Sequence, residues 1–311
     1  MSYIYIVFTF VLLYILFRNN TDINYDRMTN IQDKKTAVVF ILNDSAGFYS
    51  QFFFLCHSYI FAQKNNYTFF VDSKKWSYTY SNGWHDYFDS LTEISDNVKN
   101  DYNLLYYSHK NINESPENKY TINDYIKCIK EIYILNNSIL TKANNYIINT
   151  IKSPYISIYI RRGDKIGTEA QFIDIKDITK SIKINNSTNL FIQTDDYNVI
   201  KELKLLYPSN TIHYTVPETS SGSYQNPHYI NNNNNNANNI IISNLNKVDL
   251  KNHTEELLIG AYICSKSYES WCDLTSNVSR FIILNNITTI HTYPIDTKLD
   301  YNKKIEPWFG F

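Results

Sequence analysis

The chain has 311 residues, of which 43% are apolar and 19% are charged, and its formal net charge at pH 7 is -1. This length and apolar content suffice for the cores of two domains of ordinary size. The nearly neutral charge balance argues against a nucleic-acid-binding protein.

The N-terminal residues 1–18 predict a membrane segment. The run 3–17 carries no charge, and its only polar interruption is Thr9. Its length is close to the lower limit for a membrane-spanning helix and also fits the core of a signal peptide. Because no small-residue cleavage site follows, we expect an uncleaved signal anchor rather than a cleaved peptide. Residues 19–35 then form a polar linker.

The first lobe is predicted to span residues 36–152. Its opening pattern is an apolar strand at 37–42, a buried helix at 49–64 and a second strand at 67–71. This order predicts a βαβ unit with parallel strands. An aromatic patch at 76–88, a tyrosine-rich strand at 104–108 and a helix pair between 121 and 150 follow.

The stretch that most strongly indicates a binding site begins with another apolar run, 155–160, which fits a strand buried on both faces. The charged sequence RRGDK, 161–165, follows it directly. Ligands of open α/β sheets bind beyond the carboxyl ends of the strands, and the planar fork of arginine suits a diphosphate. The alternative is a solvated charged turn after a core strand.

The second lobe, 153–292, repeats the alternation of strand and helix. Residues 218–246 are rich in Ser, Gly and Asn and predict a flexible insert, and 293–311 form a short tail. The predicted elements are a strand at 190–193, a helix at 197–207, strands at 211–216 and 270–274, a helix at 255–265, and apolar runs at 281–284 and 287–290 that close the lobe.

The four cysteines form neither a metal-binding pattern nor a disulfide framework. Cys264 and Cys272 are close enough in sequence to pair, and the alternative is that the thiols are buried and free.

The run RRGDKIGTEAQF, 161–172, resembles the donor-site motif of the alpha-1,6-fucosyltransferases that modify the N-glycan core (glycosyltransferase family 23). It is more loosely similar to that of bacterial chitooligosaccharide fucosyltransferases. Three further matches occur in the same order as in that family, namely GFYSQ at 47–51, FFVDSKKW at 69–76 and the segment 78–84. The resemblance covers roughly 37–285. It implies an α/β fold with two GT-B-like lobes, of which the second is Rossmann-like with a parallel sheet.

The resemblance also implies a reaction, the metal-independent and inverting transfer of fucose from GDP-fucose to a glycan. Arg161 would hold the diphosphate, and Ser276 would donate a hydrogen bond to the same oxygens. Glu169 would be the base for the acceptor hydroxyl, with Lys165 as its relay. A Golgi or endoplasmic-reticulum location, with the N-terminal segment in the membrane, follows from the same resemblance.

Further donor-binding candidates lie on several elements. The two adjacent acids among them, Asp195 and Asp196, are unsuited to chelating one metal ion, because neighbouring side chains on a strand point in opposite directions. In the resembled family such a pair orients the arginines, and capping of the following helix is the alternative. The full set is Arg162, Asp164, Asp195, Asp196, Tyr78 and Gly47.

Two positions depart from the resembled family. Tyr159 stands where that family has a histidine, and Gly260 stands near the position of an acid; both family residues bind the guanine edge. Two alternatives therefore stay open: a glycosyltransferase that uses another nucleotide sugar, and a catalytically silent protein that binds nucleotides or glycans on the same fold.

Overall fold

A computed structural model describes residues 34–43, 46–109, 111, 120–152, 154–162, 172, 174–180, 182–220, 245–272 and 276–285. The strands in this part are β1 (Lys35–Ile41), β2 (Thr68–Asp72), β3 (Tyr102–Ser108), β4 (Ile156–Ile160), β5 (Leu190–Thr194), β6 (Ile212–Tyr214) and β7 (Glu269–Cys272). The α-helices are α1 (Phe48–Lys64), α2 (Asp96–Lys99), α3 (Ile122–Ile132), α4 (Asn137–Asn145), α5 (Ile175–Thr179), α6 (Tyr197–Leu206), α7 (Lys247–Lys266) and α8 (Asn277–Asn285); a 3-10 turn at Gly83–Asp86 and a π-helical turn at Tyr146–Ile151 complete the helical segments.

The first lobe is built on a parallel sheet with the strand order β2-β1-β3. The central strand β1 is apolar and buried from Ala37 to Phe40, since both of its faces are covered there. Helix α1 connects β1 to β2 and buries most of its residues between the sheet and the neighbouring helices. The ring of Phe53, for example, packs on that of Tyr125 in α3. The predicted βαβ unit is thus confirmed.

The second lobe holds a parallel sheet with the order β6-β5-β4-β7. Numbered within the lobe, this order is 3-2-1-4, as in the first four strands of a Rossmann sheet. Every residue of β4 and β5 is buried, which explains why both strands are mostly apolar and carry no charge. The predicted α/β fold, with two lobes and a parallel Rossmann-like second sheet, is confirmed.

The last described helix, α8, connects the two lobes. It follows β7 in sequence, yet it packs on α1 and α3 of the first lobe. The ring of Phe281 lies 4.9 Å from that of Tyr49 and 4.2 Å from that of Tyr133, centroid to centroid. The apolar run 281–284, which the sequence assigned to closing the second lobe, therefore contributes to a core that both lobes share.

Helix α7 is longer than the sequence predicted. It begins at Lys247 rather than at 255, because the side chain of Asn246 accepts hydrogen bonds from the backbone N–H groups of Val248 and Asp249 at 3.0 and 2.9 Å. The predicted flexible insert 218–246 lies mostly outside the described residues. All four cysteines are buried and free, so the pairing of Cys264 with Cys272 is not formed.

The predicted signal anchor, 1–18, also lies outside the described residues. Within the part that is described, none of the helices combines the length and the apolar character needed to cross a membrane.

Candidate active site

The topology of the second sheet fixes where a ligand is expected to bind. The chain runs from β4 through β5 to β6 on one side of β4 and then crosses back to place β7 on the other side, which makes the carboxyl ends of β4 and β7 a topological switch point. Arg161 immediately follows β4, and Ser276 lies shortly after β7. Two of the residues predicted from the sequence therefore follow the strands whose carboxyl ends form the ligand-binding position of this fold class.

Arg161 and Arg162 are organised around Asp195 at the end of β5. The backbone N–H of Arg162 donates to Asp195 Oδ1 at 2.6 Å. Burial raises the pKa of Asp195 to about 6, against the opposing effects of this hydrogen bond and of the Arg161 charge. Asp195 is nevertheless an exposed residue, so a ligand at the carboxyl end of the sheet could reach it.

The neighbouring acid, Asp196, has a different role. Its carboxylate accepts a hydrogen bond from the backbone N–H of Asn198 at 2.9 Å and caps α6. It is 3% exposed, and burial raises its pKa. The capping alternative is thus confirmed for Asp196, while Asp195 contacts the arginine segment. Among the described residues, no group of three His, Cys, Asp or Glu side chains could hold a metal ion.

Arg162 is held inside the protein. It is 4% exposed, and its guanidinium lies 4.2 Å from the centre of the Phe172 ring. Arg161 is only partly buried. Of the two guanidinium groups, that of Arg161 is therefore the more accessible from the crevice.

Ser276, which follows β7, and Tyr159, near the end of β4, are joined through their hydroxyl groups. The Tyr159 hydroxyl lies 3.0 Å from Ser276 Oγ, and Ser276 Oγ accepts the backbone N–H of Val278 at 3.2 Å. Ser276 therefore caps α8, and it is 1% exposed. The hydroxyl of Tyr159 is engaged by this serine, at the position where the resembled family has a base-binding histidine.

Two of the predicted donor-binding residues, Gly47 and Tyr78, belong to the first lobe. Gly47 directly precedes α1 and, having no side chain, cannot cap it, and the space beside the Gly47 α-carbon is open. Tyr78 is 2% exposed, and its ring packs against Phe48 at 5.2 Å. The predicted contributions of Gly47 and Tyr78 to donor binding stay predictions.

Three predicted site residues, Asp164, Lys165 and Glu169, lie outside the described residues. Their roles as donor ligand, relay and base therefore stay predictions.

Helix α7 crosses the second sheet in the direction opposite to its strands. Near the end of the helix, the Tyr155 hydroxyl donates to the carbonyl of Ile263 at 2.8 Å, and Tyr155 directly precedes β4. Closer to its start, Gly260 contacts the side chain of Gln193, one residue before the end of β5; a Cβ at Gly260 would overlap with the Gln193 amide. The amino-terminal half of α7 thus extends past the carboxyl ends of the strands.

Two titratable residues, Glu256 and His253, lie four and seven residues before Gly260 and share its face of α7. Burial raises the pKa of Glu256 to about 8 and lowers that of His253. In the part of the chain that the structure describes, neither side chain has a hydrogen-bond or ion-pair partner. The sequence analysis missed both, although their spacing from Gly260 would have indicated a shared face.

No family model matches the sequence, and no curated protein matches it. Solved structures do resemble the fold. A NodZ alpha-1,6-fucosyltransferase soaked with GDP-fucose has a TM-score of 0.53 and 13% identity, covering 84% of this chain and 96% of that one. A fucosyltransferase NodZ from Bradyrhizobium has a TM-score of 0.50 and 13% identity, covering 80% and 92%.

A variant of Arabidopsis thaliana FUT1 in complex with GDP has a TM-score of 0.53 and 10% identity, covering 83% of this chain and 70% of that one. At these identities the likeness concerns the fold. The chain has the two-lobe α/β fold of the GT-B fucosyltransferases.

Proposed function

We propose that this protein is a metal-independent, inverting glycosyltransferase that transfers fucose from GDP-fucose to a glycan. The observation that carries the proposal is the position of Arg161 at the carboxyl end of β4, at the switch point of the sheet and beside Asp195. The fold is that of fucosyltransferases whose solved structures contain GDP or GDP-fucose, which supports the same donor class here.

The diphosphate would lie between Arg161 and Ser276. A guanidinium offers paired N–H donors to phosphate oxygens and stays charged throughout the reaction. If the Tyr159 hydroxyl donates to Ser276 Oγ, the serine retains its own proton for a phosphate oxygen. Both groups would bind most strongly when the leaving GDP acquires its full negative charge.

The chemical step would be a single displacement. Glu169 accepts the proton of the acceptor hydroxyl while the hydroxyl oxygen bonds to the anomeric carbon of fucose. The bond from that carbon to the diphosphate oxygen breaks on the opposite face, and its electron pair leaves with GDP. The configuration at the anomeric carbon is inverted, and Lys165 relays the proton from Glu169. In this proposal the guanidinium of Arg161 offsets the charge that a divalent cation offsets in other glycosyltransferases.

The proposal includes a membrane-anchored protein of the secretory pathway, with its catalytic lobes in the Golgi or endoplasmic-reticulum lumen. The charge-free run 3–17 supports this placement. Imaging of the full-length protein with a C-terminal tag, before and after carbonate extraction of membranes, tests it.

The activity test measures the release of GDP from GDP-fucose in the presence and absence of a glycan array. We expect acceptor-dependent release by the wild type. Arg161→Ala should abolish turnover and weaken GDP binding, whereas Glu169→Gln should bind GDP nearly as the wild type does and lose turnover. Arg161→Lys is the matched control, because it keeps the charge and removes the paired donors.

Two results would contradict the proposal. Binding of UDP without binding of GDP would indicate another nucleotide sugar. Binding of GDP-fucose without turnover on any glycan, unchanged by Glu169→Gln, would indicate a protein that binds the nucleotide and does not catalyse transfer.

A further inference from the structure

Two of the buried cysteines, Cys56 on α1 and Cys128 on α3, lie against each other in the core of the first lobe. They are 0% and 2% exposed. The Cys128 thiol donates to the carbonyl oxygen of Cys56 at 3.7 Å. Burial, and next a hydrogen bond with the Cys56 side chain, raises the pKa of the Cys128 thiol well above its ordinary value. The two thiol groups are therefore in direct contact.

The packing of α1 on α3 places this pair of thiols at the middle of the contact between the two helices. At one end of the contact, the hydroxyl oxygens of Tyr49 and Tyr133 lie 2.8 Å apart. At the other end, Lys64 Nζ lies 3.2 Å from Asp124 Oδ2. Residue numbers rise along α1 while they fall along α3, so the helices run antiparallel. Each cysteine lies halfway between the residues that mark the two ends.

This position suits a covalent bond between the two sulfur atoms. Facing Cα atoms of two helices whose axes lie about 8–10 Å apart can approach to about 5 Å, which is within the range that a disulfide spans. The contacts at both ends of the helix pair keep the two cysteines opposite each other. Bond formation therefore needs a small shift of the sulfur atoms and no change of the fold.

We propose that Cys56 and Cys128 form a disulfide when the chain folds in an oxidising compartment, and that this bond cross-links α1 to α3. The inference goes beyond the proposed function, because neither cysteine belongs to the candidate active site. A secretory lumen supplies the oxidising conditions that such a bond requires, whereas the cytosol keeps thiols reduced.

The oxidant is a disulfide, either that of glutathione or that of a thiol–disulfide oxidoreductase. The thiolate of one cysteine attacks this disulfide, which forms a mixed disulfide and expels one thiolate. The thiolate of the other cysteine then attacks the mixed disulfide at the cysteine sulfur and expels the second thiolate. The two protons lost by the cysteines pass to the expelled thiolates. Two cysteine thiols are thus oxidised to one disulfide, and the oxidant is reduced to two thiols.

Burial determines when this exchange takes place. In the folded protein both thiols are shielded from an oxidant, and the raised pKa of Cys128 leaves little of the reactive thiolate. The bond should therefore form while the first lobe is still folding. Once formed, it is shielded from reductants in the same way.

The cross-link is expected to stabilise the protein because it closes a long loop. Cys56 and Cys128 are 72 positions apart in the chain, and the segment between them includes β2 and β3. Closing a loop of this length restricts the unfolded chain far more than the folded one. The oxidised protein should have a urea midpoint about 1 M higher than the reduced protein.

Refolding of the full chain tests the proposal. The protein is unfolded in urea with dithiothreitol and then diluted either into a buffer of glutathione and its disulfide or into dithiothreitol alone. Free thiols are alkylated in urea, and peptide mapping by mass spectrometry identifies the pairs. After refolding with glutathione, we expect one cross-link between the peptides of Cys56 and Cys128, with Cys264 and Cys272 alkylated. After refolding in dithiothreitol, all four cysteines should be alkylated.

Urea unfolding of the two forms measures the effect of the bond. Cys56→Ala cannot form the cross-link and should have the same midpoint in both buffers. Cys264→Ala is the matched control, because it removes a buried thiol outside the pair. This variant should keep the difference in midpoint between the two buffers, even where both of its midpoints are lowered.

Two results would overturn the inference. One is that all four cysteines of the wild type are alkylated after refolding with glutathione, and the other is a cross-link that joins Cys264 to Cys272 instead. Because the mapping is made on the wild type, it decides the question even if a variant does not fold. GDP binding and turnover are measured separately, so failure of this inference leaves the proposed function untouched.

Discussion

The change Glu256→Gln is expected to stabilise the empty protein at alkaline pH. Glutamine has the shape of the protonated acid and cannot ionise. Because burial raises the pKa of Glu256 from 4.5 to about 8, the native state binds the proton more tightly than the unfolded chain. Wild-type stability is therefore lost as pH rises from about 4.5 towards 8. Full ionisation would cost at most about 5 kcal/mol. Part of the side chain is in water, so we expect about 2–3 kcal/mol.

Urea unfolding of the wild type and of Glu256→Gln, each at pH 5 and pH 8.5 without nucleotide, measures this effect. The two proteins should differ little at pH 5, and the variant should be more stable at pH 8.5. Asp249→Asn, at an exposed position of α7, serves as the control. The difference in free energy of unfolding between this variant and the wild type should be the same at pH 5 and pH 8.5. A difference between wild type and Glu256→Gln that is the same at both pH values would refute the reasoning.

Three other changes test the core shared by the two lobes, the contact between Gly260 and Gln193, and the buried histidine His57. Phe281→Ala should destabilise the protein by about 3–5 kcal/mol in urea unfolding, because its ring packs on Tyr49 of the other lobe; two separate unfolding transitions in the wild type would contradict a shared core. Gly260→Ala should lower the melting temperature because its methyl group overlaps with Gln193, and Gln193→Ala in the same chain should restore much of the loss. Burial lowers the pKa of His57 to about 4, so the free energy of unfolding of the wild type should fall as the pH is lowered from 6.5 to 4. In urea titrations, His57→Gln should show a smaller fall over the same pH range.

Most of the fold followed from local patterns in the sequence. The run 190–193 predicted a strand that the structure extends by one residue, to Thr194, and the helix predicted at 197–207 is observed as Tyr197–Leu206. Both predictions were correct because the two kinds of element have different sequence patterns. A parallel strand buried on two faces is a short continuous apolar run, whereas a helix packed on one face has apolar residues every three or four positions. Residues 281–284 were harder, since a short run of Phe, Ile and Leu fits a strand or a helix and does not indicate which lobe it contacts.

Only part of the candidate site could be predicted from the sequence. The position of Arg161 directly after a buried strand predicted a ligand site, because ligands of open α/β sheets bind beyond the carboxyl ends of the strands. Glu256 was missed although it lies inside the helix predicted at 255–265. The burial of one helix face depends on residues more than 60 positions away, such as Gln193 on β5. No local pattern encodes that contact.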